Sequence, residues 1–232
     1  MPTITLESAG VSVALPGRGE RVLVSPTSLT LTEQRVGIIG ANGSGKSTLA
    51  RLVNGLATAT SGRVLVDGLD VARHGAAVRR LVGFCFTDPS AQLVMPTCVE
   101  DVELSMRNSV RDADSRRDRA IAILSEYGLA AHAHDSVHAL SGGQRQLLAL
   151  AGVLATDPAV VVADEPTTLL DLANTRRVAD VLFAMRQQLV LVTHDLDLAR
   201  RCDRVLVIDA SRVAFDGPAD SAVAHYLRLV DP

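Results

Sequence analysis

The chain has no tryptophan, two tyrosines and four phenylalanines, so aromatics make up only 3% of its 232 residues. That scarcity argues against platforms that stack nucleic-acid bases on aromatic rings. A formal net charge of -3 also denies the chain the basic footprint of a nucleic-acid binder. Its three cysteines, Cys85, Cys98 and Cys202, are odd in number and lack metal-ligand spacing. They read as buried thiols of a reducing compartment rather than as a disulfide framework. No apolar run approaches the roughly 18 residues that cross a bilayer. Residues 1–10 have neither the basic start nor the apolar stretch of a signal peptide. These absences predict a chain that is soluble by itself, yet able to dock on something that is not. Hydrophobic residues, in contrast, reach 47%, enough for the core of one large domain or two small ones.

The most informative stretch is Gly40-Ala41-Asn42-Gly43-Ser44-Gly45-Lys46-Ser47, which fits the phosphate-binding loop G-x-x-x-x-G-K-[ST]. The apolar run Arg35–Ile39 before it predicts a buried strand, and Thr48–Asn54 after it predicts the first turns of a helix. The glycines let successive N–H groups curl around an anion, and the helix N-terminus adds partial positive charge. Lys46 brings a full charge to the outer phosphates, and the Ser47 hydroxyl suits Mg²⁺. A glycine-rich turn with a chance Lys-Ser is the bland alternative, and the flanking strand and helix weigh against it.

Strands are expected at 3–7, 22–24 and 28–32, with a turn at Pro16-Gly17-Arg18-Gly19. Another strand is expected from Ser61 to a turn at Gly68, then a short helix over 75–81 and a strand over 81–86. From about 97 to 130 the apolar spacing is helical. The mixed charges from Arg111 to Arg119 predict a solvated face or loop. The second half alternates: helix 143–156, strand 159–163, helix 172–188, strand 189–193, helix 195–201, hairpin 204–215 and helix 219–229. Such alternation implies a parallel sheet wrapped by helices, while the early strands imply a small antiparallel layer.

The run Val160-Val161-Val162-Ala163 ends in Asp164-Glu165. Carboxylates at the C-terminal edge of a parallel sheet face its ligand crevice. Asp164 suits the Mg²⁺ shell, and Glu165 suits a base that polarises water. The segment Leu140-Ser141-Gly142-Gly143-Gln144-Arg145-Gln146 then resembles the signature sequence of ATP-binding-cassette (ABC) ATPases. Asp164-Glu165-Pro166-Thr167, Leu170-Asp171 and Thr193-His194-Asp195 resemble that family's second acidic motif, D-loop and switch histidine. The resemblance covers nearly the whole chain. It implies a single cassette over residues 1–232, of the α/β P-loop NTPase class: a mainly parallel sheet flanked by helices, a small antiparallel β layer, and an α-helical subdomain at about 88–150.

It also implies ATP hydrolysis with ATP and Mg²⁺ as ligands. Gly40, Ala41, Asn42, Gly43, Ser44, Gly45, Lys46, Ser47 and Thr48 would hold the phosphates, with Ser47 and Asp164 on Mg²⁺. Glu165 would be the general base, and His194 would contact the γ-phosphate. By the same resemblance Ser141, Gly142, Gly143 and Gln144 would meet the nucleotide of a second cassette in a head-to-tail dimer, and Asp171 would couple the two sites. From the residues themselves, Ser141-Gly142-Gly143 opens a helix with small side chains and predicts a second anion nest. His132-Ala133-His134 invites a metal reading, but no cysteine or carboxylate set completes it, and a solvated loop is expected.

Three positions depart from the family pattern. Leu15 stands where an aromatic residue would cover the adenine. Thr87 stands where a glutamine would reach Mg²⁺ and the attacking water. Leu169 stands where a small residue precedes the D-loop. The segments Asp88-Pro89-Ser90-Ala91-Gln92 and Pro96-Thr97-Cys98-Val99-Glu100-Asp101-Val102 resemble the energy-coupling-factor subgroup, with Gln92 on its Q-helix against coupling helices. These are bacterial-type vitamin and metal-ion importers. In them, cassettes at the cytoplasmic face of the membrane drive a transmembrane coupling protein and a small substrate-binding membrane protein. A homodimer is chemically sufficient, and a heterodimer stays open. An exporter cassette, a soluble ABC ATPase of repair or translation, and an ATP-binding subunit with little turnover remain the competing readings.

Overall fold

The computed structural model describes residues 1–17 and 19–231. Arg18, in the expected turn at 16–19, lies outside the described residues. The elements run β1 (Ile4–Leu15), β2 (Gly19–Leu31), β3 (Arg35–Gly40), α1 (Lys46–Leu52), β4 (Ser61–Val66), β5 (Leu69–Asp70), α2 (Gly75–Leu81) and β6 (Val82–Cys85). They continue with α3 (Cys98–Met106), α4 (Ala113–Glu126), α5 (Gly142–Ala155), β7 (Val160–Asp164), α6 (Leu172–Ala184), β8 (Gln188–Val192), α7 (Leu196–Arg200), β9 (Arg204–Asp209), β10 (Arg212–Gly217) and α8 (Ala219–Val230). The chain forms two compact units: Met1–Val82 with Ala159–Asp164 and Arg186–Pro232, and Gly83–Pro158 with Glu165–Met185.

The first unit contains an antiparallel sheet, β2-β1-β4-β5, and a second sheet in the order β10-β9-β3-β8-β7. In the second, β3 pairs parallel with β8 and β9, and β8 with β7. All residues of β3, β7 and β8 are buried, as the unbroken apolar runs require of strands covered on both faces. Burying each such Val or Ile contributes about 1.5–3 kcal/mol. The register sets Asp164 beside Val192 and Val192 beside Ile38. The C-terminal ends of β3, β7 and β8 therefore open at one edge of this sheet.

Two strand expectations are corrected. The run 22–24 and the first four residues of 28–32 belong to one strand, β2, and the strand expected at 3–7 continues to Leu15. Pro26 and Ser8-Ala9-Gly10 look like breaks in the sequence. The structure absorbs them in bulges, where the β1–β2 register shifts around Ala9 and Val11. A bulge needs no ladder N–H from proline and keeps the strand going. Gly10 sits where a Cβ would lie 2.7 Å from Ser61 Oγ. The helix expected over 172–188 ends at Ala184. Gln188 instead opens β8 opposite Val160, and its amide donates to Glu33 O at 2.8 Å. The run Arg186-Gln187-Gln188 has helix-forming residue types, so only the sheet partner reveals the strand.

In the second unit α3 packs on α4 and α5, and α5 on α6. Val99, Val102 and Met106 of α3, Leu124 of α4, Leu147 and Leu148 of α5 and Leu182 of α6 are buried. Thr97 and Glu100 cap α3 reciprocally, the Thr97 hydroxyl donating to Glu100 Oε2 at 2.6 Å. Asp101, buried, accepts from the N–H groups of Val94 and Met95 at 2.9 and 3.0 Å. The paired carboxylates Glu100-Asp101 thus fold the segment 94–100 rather than serve chemistry. The charged stretch 111–119 is the solvated start of α4, capped by Asp112. Cys85, Cys98 and Cys202 are buried and form no disulfide among the described residues, and burial pushes the Cys202 thiol up to about 12.

Candidate functional site

Between β3 and α1 the chain turns through Gly40, Gly43 and Gly45, all at positive φ (148°, 76° and 109°). A Cβ on Gly40 would lie 2.1 Å from Ile208 O, and one on Gly45 2.3 Å from Leu23 O. A Cβ on Gly43 would meet nothing within 4 Å. Two of the glycines therefore let the loop pack on its own unit, and the third borders open space. Among the described residues no side chain caps α1. The buried hydroxyl Oγ of Ser44 has no hydrogen-bond partner among the described residues. Lys46, 5% exposed, donates to Gly40 O and Ala41 O at 2.8 and 2.9 Å. A hollow of about 240 Å³ opens here, lined by Gly43, Gly45, Lys46, Ser47 and Thr48 with Arg21 and Leu23 of β2. An uncapped helix end, an orphaned hydroxyl and a buried ammonium fit a polyanionic ligand.

Ser47 Oγ donates to Asp164 Oδ1 at 2.7 Å, and Arg51 Nη2 contacts Asp164 Oδ2 at 3.1 Å. Asp164 is 1% exposed at the end of β7. A hydroxyl and a carboxylate in contact beside a phosphate loop form the oxygen donor set that suits Mg²⁺. Glu165 follows at φ 53°, a left-handed conformation uncommon outside glycine, and its Oε2 accepts from Thr168 Oγ1 at 2.7 Å. Thr193 donates its N–H to Ile38 O at 3.1 Å, which sets exposed His194 just beyond the ends of β8 and β3. Asp195 then caps α7 through the N–H groups of Asp197 and Leu198.

Leu15, at the tip of the β1–β2 hairpin, pairs with Gly19 and is not among the residues lining the hollow. The lining residues from that hairpin are Arg21 and Leu23, which sequence reasoning missed. The only signal for them is their alternation on one face of a strand, and it cannot be read until the register is known. A larger cavity of about 470 Å³ in the same unit, bounded by Leu52, Val64, Val71, Arg73 and Arg79, contains none of the motif residues.

In the second unit Ser141 and Gln144 cap α5 reciprocally: Gln144 N–H donates to Ser141 Oγ at 3.3 Å, and Ser141 N–H to Gln144 Oε1 at 2.9 Å. The N–H groups of Gly142 and Gly143 find no partner among the described residues. The two glycines differ. A Cβ on Gly143 would lie 2.2 Å from Asn174 Cγ, whereas one on Gly142 would approach Leu170 Cδ2 and Leu169 O no closer than 3.9 and 4.0 Å. Asp171 caps α6, accepting from Asn174 N at 2.8 Å and Asn174 Nδ2 at 3.0 Å. Thr87 lines a cavity of about 90 Å³ with Gly142, Arg145, Gln146, Leu169 and Leu170. Gln92 follows a 3-10 turn (Pro89–Ala91) and commits its amide internally, donating to Ala149 O at 3.1 Å and accepting from Phe86 N at 3.4 Å. Gln92 is half-buried, with both ends of its amide engaged inside the unit.

No helix among the described residues is long and apolar enough to cross a membrane. The ABC transporter family profile matches residues 24–168. A protein of Deinococcus radiodurans described as an ABC transporter ATP-binding protein is 46% identical over 89% of this chain and 92% of its own. The biotin transport ATP-binding protein BioM of Rhizobium etli is 40% identical over 97% of this chain and 98% of its own. The methionine import ATP-binding protein MetN of Caulobacter vibrioides is 39% identical over 90% of this chain but 65% of its own. Among solved structures, the ATP-binding cassette MJ0796, dimeric and bound to ADP and Pi, superposes with a TM-score of 0.83 at 28% identity, covering 93% of this chain and 98% of the other. cbiO1 of Clostridium perfringens, part of the ABC transporter complex cbiONQ, superposes with a TM-score of 0.82 at 28% identity, covering 98% and 94%.

Proposed function

Because the chain belongs to the ABC transporter family and is an ATP-hydrolysing cassette of it, we propose that it powers an importer of the energy-coupling-factor type, taking up a vitamin or a transition-metal ion. The observation that carries the chemistry is the 2.7 Å contact of Ser47 with Asp164 beside the glycine loop. The importer class is supported by the full-length similarity to BioM and cbiO1. It is also supported by the segment 88–102. The similarity to MetN favours another class of importer as the second reading.

In this proposal Gly40 to Thr48 hold the phosphates of ATP, and Lys46 neutralises the outer pair. Ser47 and Asp164 hold Mg²⁺, which supplies charge stabilisation to the transferring phosphoryl group. Thr87, shorter than the glutamine of the family pattern, would reach the metal through a bridging water. Glu165 takes the proton of the attacking water, and His194 bonds the γ-phosphate. Arg21 and Leu23, rather than Leu15, cover the base end. The products are ADP and phosphate. Ser141 to Gln144 of a second copy meet the same nucleotide, and the N–H groups of Gly142 and Gly143 answer its negative charge. Closure then depends on the γ-phosphate, and hydrolysis releases it, a two-state device set by one ligand group. Asp171 couples the two sites. The whole chain acts as one cassette, peripheral to the cytoplasmic face of the membrane, beneath a transmembrane coupling protein and a small substrate-binding membrane protein.

Affinity capture from detergent-solubilised membranes tests the class. Co-purification of a polytopic protein with a small integral membrane protein is expected. A polytopic pair typical of other importers would support the second reading, and recovery of soluble partners alone would end the transporter proposal.

A further inference from the structure

Gln144 does more than cap α5. Its Oε1 accepts the Ser141 N–H at 2.9 Å, and this fixes the amide with its oxygen toward the helix start. The NH₂ end must then point the other way, and it lies 2.9 Å from His132 Nε2. Two nitrogens at that distance need one lone pair between them. The amide NH₂ has only hydrogens to give, so His132 Nε2 is the acceptor. The ring proton therefore sits on Nδ1, which donates to Asp135 Oδ2 at 2.7 Å. A single directional chain results: Ser141 N–H to Gln144, Gln144 to His132, His132 to Asp135. Each member has one arrangement of protons that satisfies its neighbours.

Both ring nitrogens of His132 are engaged, so the metal reading of His132-Ala133-His134 has no lone pair to offer there, and the described residues contain no metal-ligand cluster. The histidine also belongs to a different element from the cap. It closes a 3-10 turn at Ala130–His132, and Asp135 lies in the connection that follows. The turn thus reaches across to hold the outer end of an amide whose inner end defines the first turn of α5.

We propose that His132 is a positioning residue for the nucleotide reaction. By accepting from Gln144 Nε2 it holds the amide in the one rotamer that caps Ser141, and so aims the N–H groups of Gly142 and Gly143. If the acceptor is removed, the amide turns to solvent, the reciprocal cap loosens and the anion nest loses its fixed direction. This inference rests on the reading that Ser141 to Gln144 meet the nucleotide of a second copy.

The test compares four variants of the full chain: His132→Ala, His132→Gln, His132→Lys and Gln144→Ala. ATP turnover is measured for each, together with nucleotide affinity, thermal melting, and ATP-driven dimer formation in a Glu165→Gln background. His132→Ala should lower kcat roughly 3- to 10-fold, the worth of about one hydrogen bond, and weaken dimer formation. Nucleotide affinity of the single chain should stay unchanged. His132→Gln places an oxygen acceptor near the Nε2 position and should recover most of the lost rate. His132→Lys offers only donors and should be at least as impaired as His132→Ala. If Gln144→Ala is impaired while His132→Ala turns over normally, or if His132→Gln is no better than His132→Ala, the positioning role is overturned and the dimer reading stands. If Gln144→Ala itself leaves turnover and dimer formation intact, the dimer reading has failed, and the proposal falls with it.

Discussion

Arg204 on β9 shows how much one side chain can hold. It is bidentate on Asp216 at 2.6 and 2.7 Å, reaches Glu33 at 3.1 and 3.3 Å, and donates to Thr30 O at 2.8 Å. Burial opposes ionisation of Glu33, but hydrogen bonds from its own backbone and Thr32, with Arg204, outweigh it and hold its pKa below the ordinary value. A carboxylate whose folded pKa is lowered stabilises the fold above its unfolded pKa, and that contribution is lost as pH falls through the folded value. Arg204→Ala should therefore destabilise the chain by about 2–4 kcal/mol near neutral pH, because two partly buried carboxylates lose their partner. Urea denaturation at pH 7 and pH 3.5 checks both points: the difference between variant and wild type should shrink at the lower pH. At the site itself, Glu165→Gln keeps the shape and removes the carboxylate proposed as the base. Phosphate release should fall by about 10²- to 10⁴-fold while ATP still binds, as read by equilibrium binding. Full turnover would take Glu165 out of the base role.

The start of α5 illustrates what an element decides that a residue cannot. Gly142 and Gly143 are adjacent and identical in sequence, yet α6 approaches only the second. Gly143→Ala would drive a Cβ to 2.2 Å from Asn174 Cγ, so it should cost about 1–3 kcal/mol by overpacking and lower the melting temperature. Gly142→Ala should leave the melt within about 0.5 kcal/mol of wild type, since alanine suits a helix better than glycine. Any loss it brings should appear only in ATP-driven dimer formation. Equal melting losses for the two variants would mean that the contact with α6 does not distinguish them. α3 makes a similar point. Asp101→Ala leaves the N–H groups of Val94 and Met95 without their acceptor, at a cost of about 1–3 kcal/mol.

At the scale of the whole molecule, the proposal gives one chain two anion sites, the phosphate loop and the Ser141–Gln144 nest. If each nucleotide needs one of each kind from different copies, turnover per chain must rise with protein concentration. We expect that rise when the isolated cassette is assayed across the range in which it dimerises. A flat profile would mean that one chain completes its own site, and the two-copy reading would be lost. Arg21→Ala should raise KM for ATP about 3- to 10-fold with little change in kcat, since a contact equal in ground and transition states acts on binding alone.

The sequence by itself determined the loop at 40–47, the buried strands β3, β7 and β8, and the small residues that open α5. These depend on neighbours a few residues away: glycine's freedom at positive φ, unbroken apolar runs, and side chains that bond their own helix end. It also carried the ordered motifs by which the family is legible. The tertiary structure alone decided that Pro26 lies in a bulge within a continuous β2, that Gln188 leaves the helix for a sheet, and that Arg21 and Leu23 rather than Leu15 line the hollow. It alone tied His132 to Gln144 and separated Gly142 from Gly143. Each of these depends on a partner distant in sequence. Local periodicity carries no record of which distant backbone or amide will come within 3 Å, and at that distance the choice of strand, rotamer and tautomer is made.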